Sequence, residues 1–238
     1  EPRVLRLVDD YLHVPVRFPP SRIGDQRAMA WNHRRREFFW VEDDHNSITY
    51  NHRRRELFLV EHARCIIVLK EDGSWSRSIP LPFRVRVTCL HAADHDDFLF
   101  IGDQQTAQVH VRTLSSGKLL YAIKPPLDMS NGLSPLAVTM HPRTRRVYIL
   151  DEIHRIHAMT LDGTYLFRFA TPDSAVLWRD MSIDPASNDM YVVDYARQCV
   201  SVYNCEDGTH CRDFQTNPPR QVLPNSLYCH KTSQLIVQ

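Results

Sequence analysis

The chain has 238 residues, of which 43% are hydrophobic and 24% charged, and a formal net charge of +1. That composition suits an ordinary globular fold and argues against disordered, collagen-like and coiled-coil chains. The longest apolar runs, such as Cys65-Ile66-Ile67-Val68-Leu69, are far short of the roughly 20 residues of a membrane-spanning helix, and a near-neutral chain binds nucleic acid only through locally gathered charge.

In chain order the first expected elements are short strands at Val4–Val8 and Leu12–Phe18, around Asp9-Asp10. Next, Asn32-His33-Arg34-Arg35-Arg36-Glu37-Phe38-Phe39 recurs as Asn51-His52-Arg53-Arg54-Arg55-Glu56-Leu57-Phe58 after only 19 residues. From there a longer period takes over. The turns Asp72-Gly73, Ser116-Gly117, Asp162-Gly163 and Asp207-Gly208 place glycines 44, 46 and 45 residues apart. Each lies between alternating runs, the pattern of a β-hairpin whose turn needs a positive φ. A second series of β-branched and aromatic strands keeps step with it: Leu57–Val60, Phe98–Ile101, Val147–Leu150, Met190–Val193 and Leu235–Val237. Runs this apolar suit strands buried on both faces, and helical periodicity is absent throughout.

A period of about 40–50 residues with four short strands per unit predicts an all-β fold, a single β-propeller of four-stranded antiparallel blades. Calling the strands of each blade a to d, the glycine turn joins c to d. The expected units are a truncated blade at 26–46, blades at 47–82, 86–126, 135–170 and 178–216, and inner strands of a last blade at 222–238. The N-terminal strands of residues 1–20 are expected to complete that last blade and close the ring, leaving no free edge there. The count is six blades with one truncated, with five as the alternative.

The phased motifs resemble NHL repeats. Leu136-Ala137-Val138-Thr139-Met140-His141-Pro142, Val147–Asp151, His154–His157 and Asp162–Phe169 look like one whole repeat, and residues 180–214 resemble the next. The match is looser over 47–82 and 86–126, and glycine is scarcer than in the usual repeat, which leaves room for another six-bladed relative. The resemblance implies a rigid ring that binds partners on its faces and, in some members, single-stranded RNA.

Strand direction puts a–b and c–d turns on one face and b–c and d–a loops on the other. On the first face Arg34, Arg35, Arg36 and Arg53, Arg54, Arg55 fall in neighbouring a–b turns, a basic patch suited to phosphate or an acidic protein surface. Solvated turns paired with Glu37 and Glu56 are the plainer reading of the same residues. On the opposite face, aligning strand a at Asn32, Asn51, His91, His141, Asp184 and His230 places Arg27, Asn46, Arg86, Arg179 and Asn225 around the channel mouth, where they would hold an anionic group. Trp178, beside them, is either a platform for a base or a packing residue.

Chemistry finds little footing in the sequence. Pro224-Asn225-Ser226 looks like the segment that supplies one calcium ligand in gluconolactonase-type propellers, but one oxygen does not make a site for a cation that takes six to eight. His91, His141 and His230 at one repeat position invite a comparison with zinc lyases of similar blades, although repetition explains them without metal. A metal-dependent lactonase or lyase is thus a remote alternative, and the expectation is a non-enzyme without cofactor. Cys205 and Cys211 flank a turn and would form a disulfide if they lie opposite one another; otherwise all six cysteines act as small, mostly buried hydrophobes. The leading expectation is a binding or scaffold module for a protein partner, within a larger chain or assembly. Single-stranded RNA on the arginine-bearing face is the alternative.

Overall fold

The computed structural model describes residues 4–8, 29–32, 37–41, 47–61, 65–82, 85–126, 134–169, 177–215, 227–229 and 235–237. Among them there is no helix, and every strand pairing is antiparallel.

Four blades are complete and run a to d in chain order. Blade 2 comprises β4 (Ile48–Asn51), β5 (Glu56–Glu61), β6 (Cys65–Lys70) and β7 (Trp75–Pro80). Blade 3 has β8 (Val87–Ala92), β9 (Phe98–Asp103), β10 (Gln108–Thr113) and β11 (Leu119–Ile123). Blade 4 has β12 (Pro135–Met140), β13 (Val147–Asp151), β14 (Ile156–Met159) and β15 (Tyr165–Arg168). Blade 5 has β16 (Trp178–Asp184), β17 (Asp189–Asp194), β18 (Cys199–Asn204) and β19 (His210–Gln215). Two smaller sheets flank this series. Blade 1 holds β1 (Val4–Val8), β2 (Met29–Asn32) and β3 (Glu37–Val41), and blade 6 holds β20 (Leu227–Cys229) and β21 (Leu235–Val237). Inner strands β2, β4, β8, β12, β16 and β20 neighbour one another in that order.

One expectation is overturned. The N-terminal strand does not complete the last blade: β1 pairs with β3 over five positions, Val4 opposite Val41 through Val8 opposite Glu37, and so becomes strand c of blade 1. The short repeat at Asn32 and Asn51 had left that blade with only an a–b hairpin, and a hairpin with a free strand edge takes the nearest apolar strand. Leu12–Phe18 lies outside the described residues.

The core sits between blades rather than within one. Phe58, Val60 and Ile66 of blade 2 meet Leu90, Leu99 and Ile101 of blade 3. Phe100 and Val111 of blade 3 meet Val138 and Ile149 of blade 4. Tyr148 and Phe169 of blade 4 meet Trp178, Met190 and Tyr203 of blade 5. Strand b therefore buries both faces, and this is why its sequence reads as a continuous apolar run instead of an alternation. All four glycines of the c–d turns have positive φ, between 70° and 89°. In each c–d pair the register slips just beside that turn, at Val68/Leu69, Val111/Arg112, Ala158/Met159 and Val202/Tyr203. A left-handed glycine followed by a bulge is the usual companion of a short hairpin loop.

Candidate functional site

The upper face, formed by b–c and d–a connections, is built on one repeated device. Strand b of blades 3, 4 and 5 ends in Asp103, Asp151 and Asp194, each at most 1% exposed. Asp103 Oδ1 accepts from the backbone N–H of Arg86 (2.9 Å) and Gln105 (3.1 Å), and Oδ2 from Thr106 Oγ1 (2.6 Å). Asp194 Oδ1 accepts from the N–H of Leu177 (3.3 Å) and Arg197 (3.1 Å). Asp151 accepts from the N–H of Ile153 and Arg155 and takes Arg155 Nε (3.0 Å) and the His157 ring (2.8 Å) on Oδ2. Burial pushes the Asp151 carboxyl up, but the hydrogen bonds from His157 and Arg155 outweigh it and hold it below its ordinary range. Each aspartate thus ties its own b–c turn down, and Asp103 and Asp194 also anchor the chain just before strand a.

This device fixes the true register of the upper face. Val87, Pro135 and Trp178 pair with Asp103, Asp151 and Asp194, so Arg179 matches Thr88, and Arg86 matches Leu177. The expected alignment at His91 is therefore two residues out: Ala93, not His91, matches Asn51, His141 and Asp184 at the a–b turn, where its N–H bonds Phe98 O. A slip of two keeps the parity of a strand, so Arg86 and Arg179 are still both exposed at the upper end. Arg179 lays its guanidinium 5.5 Å from the centroid of Tyr195, a ring in the b–c turn that sequence reasoning missed and that its place one residue after Asp194 would have revealed. Trp178 is not a platform on this face. It is 0% exposed, packed edge-on to Tyr203 at 5.5 Å, because its position pairs with Asp194 and turns the indole between blades. Arg27, Asn46 and Asn225 lie outside the described residues.

The lower face places Arg53, Arg54 and Arg55 in one exposed a–b turn; Arg34, Arg35 and Arg36 lie outside the described residues. The acidic turn of blade 3 meets this basic turn and that of blade 4. Arg54 pairs with Asp97 at 2.6 Å and Arg145 with Asp96 at 3.0 Å, while the His52 N–H bonds Asp94 at 2.7 Å. Arg55 lies 3.9 Å from Glu71. Glu56, expected to pair within its own turn, is held by both guanidinium nitrogens of Arg77 from strand d. What the sequence presents as a basic patch is therefore a belt of alternating charge running from blade to blade.

The lower rim carries a feature that sequence reasoning missed. Two residues after the turn glycine, strand d begins with Trp75, Leu119 and Tyr165 in blades 2, 3 and 4, exposed to 65%, 47% and 43%. Leu120 and Leu166 beside them are also exposed. A groove of about 480 Å³ opens next to Tyr165, lined by Thr144, Arg145, Arg146, Thr160, Leu161, Asp162 and Leu166. The signal lay in the glycine register itself, read two residues further on.

Among the described residues no three His, Cys, Asp or Glu side chains gather as a metal ion requires. His91 and His141, expected at one repeat position, stand two positions apart, and His230 lies outside the described residues. Cys205 and Cys211 are both free thiols, one buried and one exposed. The register slip pairs Val202 with Arg212 and Tyr203 with His210, so Cys211 is the extra residue of strand d and does not stand opposite Cys205, which is buried.

No family model matches the chain, and no curated protein matches it. Among solved structures, the chain is similar to the β-propeller domain of Cps50 (Swd1) from Myceliophteria thermophila, with a TM-score of 0.64 at 9% sequence identity over 86% of this chain and 76% of that one. At that identity the likeness is one of fold: this chain is an all-β propeller.

Proposed function

We propose that this propeller is a non-catalytic binding module of the NHL type that engages a protein partner through its lower rim. The observation that carries the reading is the series Trp75, Leu119 and Tyr165, large side chains at one position of three successive blades, each more than two-fifths exposed. Scattered surface hydrophobes are normal, whereas a row rimmed by charged turns marks an interaction surface. Aromatic residues and arginine supply most of the anchoring energy in protein interfaces, and Arg145 and Arg146 flank the groove beside Tyr165.

A second reading, single-stranded RNA on the upper face, draws on Arg86 and on the stacked pair Arg179 and Tyr195. One experiment separates the two. A photo-crosslinking residue placed at Leu119 or Tyr165 is expected to capture a protein, with capture lost in Trp75→Ala/Leu120→Ala, and one placed at Arg179 is expected to capture neither protein nor RNA. Adducts with RNA at position 179, together with salt-steep binding to a pooled single-stranded RNA library that Arg86→Ala/Arg179→Ala abolishes, would replace the protein reading with the RNA one.

A further inference from the structure

The a–b turns of blades 2, 4 and 5 share one geometry. The carbonyl of the residue that ends strand a, Asn51, His141 or Asp184, accepts from the N–H four residues on, at Arg55, Arg145 and Asn188. Those three residues stand at positive φ, 57°, 56° and 64°, a conformation that a side chain adopts only where its surroundings hold it. In each turn the side chain at the strand end folds back over the backbone and closes it. Asn51 Oδ1 accepts from the Arg54 N–H at 2.7 Å, and Asp184 Oδ1 from the Ala186 N–H at 2.9 Å. His141 Nδ1 accepts from the N–H groups of both Arg143 and Thr144, each at 3.2 Å. Blade 3 has Ala93 at this place, with no polar side chain.

The three acceptors differ in one chemical respect. An amide takes up no proton near neutrality, and a carboxyl group keeps acceptor lone pairs even when protonated. An imidazole that gains a proton at its acceptor nitrogen becomes a donor on both sides and accepts nothing. The closed turn of blade 4 therefore requires a neutral His141 with its proton on Nε2. The residue is 2% exposed. Arg143 and Arg146 face the ring from its own turn, and the amide of Asn188 faces it from blade 5. Burial first, then the two guanidinium groups, outweigh Asn188 and the local backbone and hold the ring's titration below the ordinary 6.5.

Closed, this turn serves both neighbouring blades and the lower rim. Arg145 reaches back to Asp96 of blade 3 at 3.0 Å and lies 5.8 Å from the centroid of Phe98. Arg146 reaches forward and donates to Glu206 O of blade 5 at 3.0 Å. Thr144, Arg145 and Arg146 line the groove beside Tyr165, and the remaining lining residues come from the c–d turn and strand d of the same blade.

We propose that His141 is a proton-sensitive latch on the lower rim: a proton taken up from solvent at Nδ1 removes the acceptor of two backbone N–H groups, and the turn that lines the groove opens. The resulting imidazolium also stands beside Arg143 and Arg146, which opposes closure further. A closed turn that binds the proton less well than the open one is disfavoured as pH falls below about 6.5, so acid opens the latch. The latch is a property of the turn itself. Its control over binding rests on the protein-binding reading, with the partner held at neutral pH and released in acid.

Amide hydrogen exchange on the whole chain tests the latch without a partner. Between about pH 7 and about pH 5, after correction for intrinsic rates, protection of the Arg143 and Thr144 amides is expected to fall at least about threefold relative to the Arg54 and Ala186 amides. His141→Asn gives blade 4 the acceptor of blade 2 and should abolish that fall. His141→Ala, the residue of blade 3, should leave both amides weakly protected at either pH. Ring nitrogen chemical shifts are expected to show the Nε2–H tautomer at neutral pH. An Nδ1–H tautomer overturns the latch, as does a fall in protection that persists in His141→Asn, or amides at Arg143 and Thr144 that follow Arg54 at every pH. The His141→Asn comparison decides the matter even where His141→Ala does not fold. Control over binding is read with the crosslinker at Leu119: capture is expected at neutral pH, lost in acid, and retained in acid by His141→Asn. Equal capture by the wild type at both pH values overturns that control. No capture at either pH is a failure of the protein-binding reading, and the exchange result then decides the latch by itself.

Discussion

The two ends of the blades are held by opposite means. At the upper end Asp103, Asp151 and Asp194 are buried, and the donors each carboxylate accepts from, backbone N–H groups among them, belong to its own blade. At the lower end exposed side chains reach across to the neighbouring blade, Arg54 to Asp97 and Arg145 to Asp96. A buried carboxylate that loses its donors, or donors that lose a buried carboxylate, cost several kilocalories per mole, whereas an exposed ion pair is worth about 0–1 kcal/mol. The upper end therefore shapes each blade, and the lower end is free to vary its charge without unfolding the ring.

Breaking the upper end should have the largest effect. Asp151→Ala strands two backbone N–H groups, Arg155 Nε and the His157 ring in a buried setting and is expected to destabilise the protein by about 3–5 kcal/mol, measured by urea unfolding. Its sign with pH follows from the depressed carboxyl. Because the folded Asp151 titrates below the ordinary value of 3.8, its contribution is present at neutral pH and above that value, and is lost as pH falls through the folded pKa. Asp151→Asn should flatten that acid limb of the stability profile. A variant that unfolds at the same urea concentration as the wild type would show that the turn is held by something other than the carboxylate.

How much of this was legible follows from which residues the backbone constrains. The c–d glycines could be read directly, since Gly117 and Gly208 have φ of 70° and 73° and a Cβ on either would press within 3.1 Å of a neighbouring side chain. Position and spacing are both dictated there. At the a–b turn three blades mark the end of strand a with Asn51, His141 or Asp184, each capping turn N–H groups with its side chain. Blade 3 has Ala93 at that place, with no polar marker, so the pattern slid to His91 and carried Arg86 out of line with Arg179. Of the two readings open for Trp178, platform or packing residue, its pairing with Asp194 at the end of strand b selects the second. Pairing of β1 with β3 was not legible at all, because an apolar strand of five residues says that it needs an edge and not which edge.

A subtler difference between the ends lies in their titration. His91, on β8 near the lower end, sits 6.0 Å from the Phe100 ring, and burial pulls it down to about 4. A base whose folded pKa is depressed binds fewer protons than the unfolded chain between that value and 6.5, so the stability it permits is full above pH 6.5 and falls as pH drops toward 4. Unfolding free energy is expected to decline by about 1–2 kcal/mol between pH 7 and pH 5 on this account, and His91→Gln should remove most of that slope. The window lies above the one in which Asp151 titrates; burial lowers His110, 3.9 Å from Asp103, and His141 as well, so the His91 share is the part of the slope that His91→Gln removes. An unchanged slope in His91→Gln would assign the effect to those two histidines.

The smallest effect is expected where the lower belt is cut. Arg54 and Asp97 are 36% and 42% exposed at their side chains, so the coupling energy from a cycle of Arg54→Ala, Asp97→Ala and the double variant should be about 0.2–1 kcal/mol. It should shrink further in 1 M salt, where the screening length falls to about 3 Å. Asp97 complicates the single variant, because its carboxylate also accepts from the Ser115 N–H at 3.0 Å and from Ser115 Oγ at 2.6 Å within blade 3. Asp97→Ala alone is therefore expected to cost more than Arg54→Ala, and only the cycle isolates the bond between blades. A coupling well above 1 kcal/mol that survives high salt would mean that the lower end, too, is built to hold the ring together.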